Sequence, residues 1–273
     1  MTNIWQQHGS FVATGENLSP DTVKRYSEAG GRWYVPVIYG DSASGPWNLS
    51  NIEYLKSMGN EYGVAVGGWY NGFGYDPKND ADAIATIHQE NGLRLIILDL
   101  EAAYQYPGGN PNLMPILVKE LRNKLPKADI GVSTNGLNNS MIFNGRTLTP
   151  PQSFYDLAIR VLPQWYNAPV YGQGPWTRPD ANMNWLKTNG TTDYNFFDLT
   201  TPNKSKRGVP LSYVHGTLEA TGLEGSDLAT ELAQLRAAKN YGYTYGWSIY
   251  LLENTPYSDF DLIEAENGKT FLV

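Results

Sequence analysis

Short apolar runs alternate with amphipathic stretches along the chain. Runs rich in Val, Ile, Leu and aromatic residues recur at 33–39, 64–69, 93–100, 130–133, 161–166, 211–214 and 243–250, and a weaker one stands at 4–7. Between them, 21–29, 51–60, 80–90, 113–125, 153–160, 181–187 and 226–239 carry apolar residues at helical spacing. Start signals accompany several of these helices. Ser19-Pro20-Asp21 sets a cap ahead of a proline at the first helical position. Ser50 with Glu53 three residues later reads as a capping box. Ser226 precedes leucines at 228, 232 and 235 on one helical face. Strands alternating with helices predict a parallel sheet, and runs this apolar fit strands covered on both faces. The pattern predicts an α/β chain folded as one (β/α)8 TIM barrel over residues 1–273, close to the roughly 250 residues such a barrel uses. An open doubly wound sheet is the alternative. It brings a glycine-rich phosphate loop after an early strand, and neither G-x-G-x-x-G nor a P-loop occurs here.

The connecting segments are unequal. Residues 135–152 and 167–179 are long and rich in Asn, Gly and Pro, and both would follow strands. In a barrel they would lie at the C-terminal face, where barrel enzymes keep their chemistry. The run 95–101 reads Leu-Ile-Ile-Leu-Asp-Leu-Glu, an apolar strand ending in two acids. Side chains alternate along a strand, so Asp99 and Glu101 share a face with Ile97, while Leu98 and Leu100 take the other. With the leucines against helices, both carboxylates point into the barrel mouth. Burial and like charge should then push their pKa values apart and keep one protonated near neutrality, as a general acid requires. A strand that simply ends at the surface, its acids solvated, would carry the same string.

Composition narrows the function classes. The formal charge is −7, and the one basic cluster, Lys204 to Arg207, is short, so neither nucleic acid nor an anionic membrane is expected as a partner. No apolar run approaches the roughly 20 residues that span a bilayer, so no membrane insertion is expected. Residues 1–10 show no signal peptide, and extracellular action would imply a trimmed start. The absence of cysteine rules out thiolate chemistry, and His8, His88 and His215 have no metal-ligand spacing, so neither metal nor cofactor is expected. Tyr (19) and Trp (8) together outnumber Phe (8). Rings with an apolar face and a polar edge complement a sugar, although most of them serve a core equally well.

These residues resemble glycoside hydrolase family 18, the chitinases and endo-β-N-acetylglucosaminidases, in particular the compact hevamine type. That family carries D-G-x-D-x-D-x-E on strand four. Asp99 and Glu101 match its last two acids, while Ile97 and Arg94 stand at the earlier ones. Gln164-Trp165-Tyr166-Asn167 matches the Q-x-Y-N of strand six, Ala65 to Gly68 matches S-x-G-G of strand three except for the serine, and Gly246-Trp247-Ser248 fits the end of strand eight. The resemblance implies a retaining, substrate-assisted hydrolase of β-1,4 bonds next to N-acetylglucosamine, and so a partner that is an oligo- or polysaccharide containing that sugar. It implies Glu101 as the acid, Asp99 as its helper and Tyr166 as the hydrogen-bond donor to the acetamido oxygen. Gln164 and Asn167 would hold the sugar and Trp247 would stack beneath it, with Trp69 as a further groove residue. Ile97 cannot exchange a proton with Asp99, which keeps open a non-catalytic barrel that binds glycan or serves as a structural module; a muramidase-type peptidoglycan hydrolase, which also uses an Asp-x-Glu strand, is a further alternative.

Overall fold

The computed structural model describes residues 3–12, 18–38, 49–57, 61–68, 76–100, 113–134, 156–163, 213, 215–219, 228–229, 232 and 246–270. Its strands are β1 (His8–Val12), β2 (Gly31–Ile38), β3 (Glu61–Gly68), β4 (Leu95–Leu100), β5 (Asp129–Thr134), β6 (Arg160–Pro163), β7 (Gly216–Glu219) and β8 (Trp247–Tyr250). They form one parallel sheet in the order β6-β5-β4-β3-β2-β1-β8-β7. The two ends of that order meet: His215 N–H, one residue ahead of β7, donates to the carbonyl of Val161 on β6 at 2.9 Å. The sheet therefore curls into a nearly closed (β/α)8 barrel, as the alternating pattern predicts.

Strand alternation sorts the core into an inner and an outer layer. On β4, Leu95 and Ile97 face the barrel interior with Phe11, Trp33, Val35, Ala65 and Leu162. Ile96 and Leu98 face outward and pack with Ile84, Leu117 and Leu121. Those three belong to helices α3 (Pro77–Asn91) and α4 (Leu113–Lys124). Each such fully buried aliphatic side chain contributes about 1.5–3 kcal/mol relative to exposure, which is why both faces of the strand must be apolar. On the other side of the barrel, Val12, Tyr34 and Ile249 pack outward against Val23, Leu55, Phe260 and Ile263. These come from α1 (Pro20–Glu28), α2 (Ser50–Ser57) and α5 (Tyr257–Thr270). Leu228 and Leu232 join the same outer cluster, as the face following Ser226 predicts.

The local signals mostly hold. Ser19 caps α1, its Oγ accepting from Thr22 N–H at 3.1 Å, with Pro20 in the first turn. At α2 the helix starts one residue earlier than the capping-box pattern places it: Ser50 is already helical, and the N–H of Glu53 bonds the carbonyl of Leu49. Two strands are displaced from their expected places. Residues 4–6 form a 3-10 turn and the first strand follows at His8. Polar His8 and Ser10 conceal it, although both are buried beneath the helical layer. The seventh strand is Gly216–Glu219 rather than 211–214. The helix expected over 153–160 conflicts with β6, which already includes Arg160. Helix α5 has no counterpart among the expected helices; Arg25 ties it to α1 through Asp261 at 2.5 Å and Glu264 at 2.8 Å.

The floor of the barrel is built by the first turn. Asn3 caps it by accepting from Trp5 N–H at 3.1 Å. The Trp5 carbonyl accepts from Gly246 N–H at 3.1 Å, and the Trp5 ring meets His215 edge-on at 5.7 Å. Trp33 lies against the other side of His215, at 5.4 Å. Two glycines make room for this stack: a Cβ at Gly9 would fall within the Trp33 ring, and one at Gly131 would strike Leu162 and Trp5. Nδ1–H of His215 donates to the Trp5 carbonyl at 3.4 Å. Burial pushes its pKa down to about 3, with the Arg160 charge adding to the effect and the Trp5 bond opposing it. His215 is thus a neutral packing residue. Among the described residues, no helix is long and apolar enough to cross a membrane.

Candidate active site

The strands are parallel, so their C-terminal ends share one mouth. Asp99 is the next-to-last residue of β4. It has the same parity as Leu95 and Ile97, both of which face the interior, so its carboxyl group points inward at the mouth. Its outward neighbour Leu98 is fully buried under α3 and α4. From Leu95 to Asp99 the alternation expected from the sequence is therefore the one present.

Among the described residues, the strand neighbours of Asp99 are small or apolar. Ile97 lies one interior position below and is fully buried. In register across β3 stands Gly67, which has no side chain. On β5, Leu98 pairs with Val132, so the adjoining interior residue is Ser133. Ser133 is buried and hydrogen-bonds the Asp99 carboxyl group. Only 9% of Asp99 remains exposed. Burial raises its pKa from the ordinary 3.8 to about 6, and the Ser133 bond holds it back from rising further. Desolvation penalises the ionised form, whereas a donor to the carboxylate favours it.

Across the barrel, β8 ends at Tyr250, which is half-buried and packs against the interior cluster. Its ring centroid is 6.4 Å from that of Phe11 on β1. Thr217 and Ser248 face each other below it, with their hydroxyls 3.1 Å apart. The mouth therefore presents a carboxyl group on one wall and a phenol ring on the opposite one.

Trp247 is not at this mouth. It is the first residue of β8, at the floor end, and has the parity of outward-facing Ile249. It is fully buried in the outer cluster, and its ring lies 4.8 Å from that of His8. A residue so placed cannot stack beneath a bound sugar, and the aromatic at the end of strand eight is Tyr250 instead. The expectation fails because β8 begins at Trp247 rather than ending near it. Ser133 and Tyr250 are both additions to the expected set. Alternation points to Ser133, since Gly131 and Ser133 share a face in the run 130–133. Glu101, Tyr166, Gln164, Asn167 and Trp69 lie outside the described residues.

Several solved structures superpose on this chain along most of its length. A chitinase from Rhizomucor miehei superposes with a TM-score of 0.64 at 13% identity, covering 96% of this chain and 100% of that one. A GH18 chitinase from Pseudoalteromonas aurantia gives 0.62 at 16% identity, covering 96% and 99%. The chain has the fold of the family 18 chitinases. A spore cortex-lytic enzyme from Bacillus megaterium matches as well, with a TM-score of 0.61 at 11% identity, covering 96% of this chain and 74% of that one. No family model and no curated protein matches the sequence.

Proposed function

We propose that this barrel is a retaining glycoside hydrolase of β-1,4 bonds next to N-acetylglucosamine. The observation that carries the reading is the buried Asp99, aimed inward at the mouth of strand four in a barrel of chitinase fold. Desolvating a carboxyl group in a barrel wall costs stability that packing alone would not select. In the proposed reaction Glu101 protonates the glycosidic oxygen. The substrate's own acetamido oxygen attacks C1 as the leaving sugar departs, and forms an oxazolinium ring. Asp99, as the carboxylate, orients the acetamido N–H and balances the positive charge on that ring. Glu101 then takes a proton from water, which opens the ring with net retention. Tyr166 donates to the acetamido oxygen, and Gln164 and Asn167 hold the sugar hydroxyls. Tyr250 supplies the ring beneath the sugar.

The test is release of reducing ends, or of a fluorophore, from chitooligosaccharides. Glu101→Gln should abolish it, and release unchanged by that substitution would overturn the assignment. The likeness to a spore cortex-lytic enzyme favours one second reading, a peptidoglycan glycan as substrate. Digestion of purified peptidoglycan with no action on chitooligosaccharides would decide for it.

A further inference from the structure

We infer that Ser133 is the positioning residue of Asp99, filling from strand five the place that Ile97 leaves empty on strand four. What this does for turnover rests on the glycosidase reading; the placement of the two side chains does not.

A carboxyl group inside a barrel needs a hydrogen-bond partner. The interior residue below Asp99 is Ile97, which offers none, and β3 places Gly67 alongside, which has no side chain. The register of β4 on β5 and of β5 on β6 sets Ser133 beside Asp99 and opposite Leu162, on the interior face. Ser133 is 2% exposed, so its hydroxyl is not shared with bulk water. Its short side chain has one rotatable bond to the oxygen, and the hydroxyl can donate to a carboxylate oxygen from a fixed direction.

A hydroxyl also differs from a second acid in what it cannot do. It donates to the carboxylate but does not take up its proton near neutrality, so Ser133 tunes the ionisation of Asp99 without sharing its proton. The neighbours facing it from β3 and β5, Gly67 and Ser133, do not titrate. The titratable group on its own strand is Glu101, two residues on. Removing the Ser133 donor should therefore shift the ionisation of Asp99 upward.

The experiment reads the Asp99 carboxyl group directly by carbon-13 NMR titration of aspartate-labelled protein, in Glu101→Gln to remove the neighbouring acid. Replacing Ser133 with Ala should move the Asp99 midpoint upward by about one pH unit, and Ser133→Thr should restore it. Ser133→Cys, a weaker donor of similar size, should fall between them and serves if the alanine variant folds poorly. On the otherwise native chain, the acid limb of the pH–rate profile on chitooligosaccharide should move with the carboxyl midpoint, with kcat falling about tenfold and KM changing little. An Asp99 midpoint unmoved by Ser133→Ala, or equal in the Ala and Thr variants, overturns the inference. A protein that cleaves no glycan, yet shows the Ser133-dependent midpoint, refutes the proposed function and leaves the positioning intact.

Discussion

Replacing Asp99 with asparagine keeps the size and shape of the side chain while removing its charge from the barrel interior, so its effect on stability should change with pH. In the folded chain the carboxyl group holds its proton to about pH 6, whereas an exposed aspartate loses it near 3.8. Between those values the folded state binds more protons than the unfolded one. Stability therefore falls as pH rises from about 4 to about 6 and stays lowered above that window. A gap of about two pH units between the folded and exposed carboxyl groups corresponds to about 3 kcal/mol. An asparagine there would carry no such cost, and Ser133 can still donate to its amide oxygen. The variant should gain about 3 kcal/mol on the native chain near pH 8 relative to the comparison near pH 3. At roughly 2–4 °C per kcal/mol for a domain of this size, the difference is well within reach of thermal melts. Parallel urea and thermal unfolding of both proteins at the two pH values measures it. A stability difference independent of pH, or an asparagine advantage that is larger in acid, would refute the idea of a costly buried carboxylate. The same substitution should remove hydrolysis, the usual exchange of stability for a charged active site.

Gly9→Ala should destabilise the barrel by about 1–3 kcal/mol or more in chemical denaturation, because its new methyl group falls within the buried Trp33 ring. Arg25→Ala should cost less than about 1 kcal/mol, and less again in high salt, since Asp261 and Glu264 are 78% and 57% exposed and solvent screens both pairs. Tyr250→Ala should raise KM for chitooligosaccharide by about tenfold while Tyr250→Phe keeps most of the affinity, as stacking on a ring face requires. Equal losses in both Tyr250 variants would assign the effect to the hydroxyl instead.

Where a segment is apolar on both sides, its place in the fold is legible from the chain. The run through β4 reads as a doubly covered strand, parity groups Asp99 with Ile97, and the packing of Leu98 against the helices then aims Asp99 inward. Legibility fails where burial is achieved with polar residues. His8 and Ser10 make β1 read as a loop, and the barrel floor draws the first apolar run, Ile4 and Trp5, into a 3-10 turn rather than a strand. It fails again at strand eight, where an error of a few residues in the boundary exchanges the floor for the mouth and one face for the other. Trp247 and Tyr250 have opposite parity, so the same shift that removes one from the site brings the other into it. Ser133 escapes notice for a different reason: its role depends on the register between two strands, which no single run encodes.

The tryptophan beneath the barrel has a practical corollary. Trp5 touches the segments leading into β7 and β8 as well as the middle of β5, so the first turn works like a stopper seated from below. Trimming the chain past it would let water rise into the inner layer. A tag or solid support attached ahead of Asn3, by contrast, would hang from the underside and leave the opposite opening free to meet a polymer.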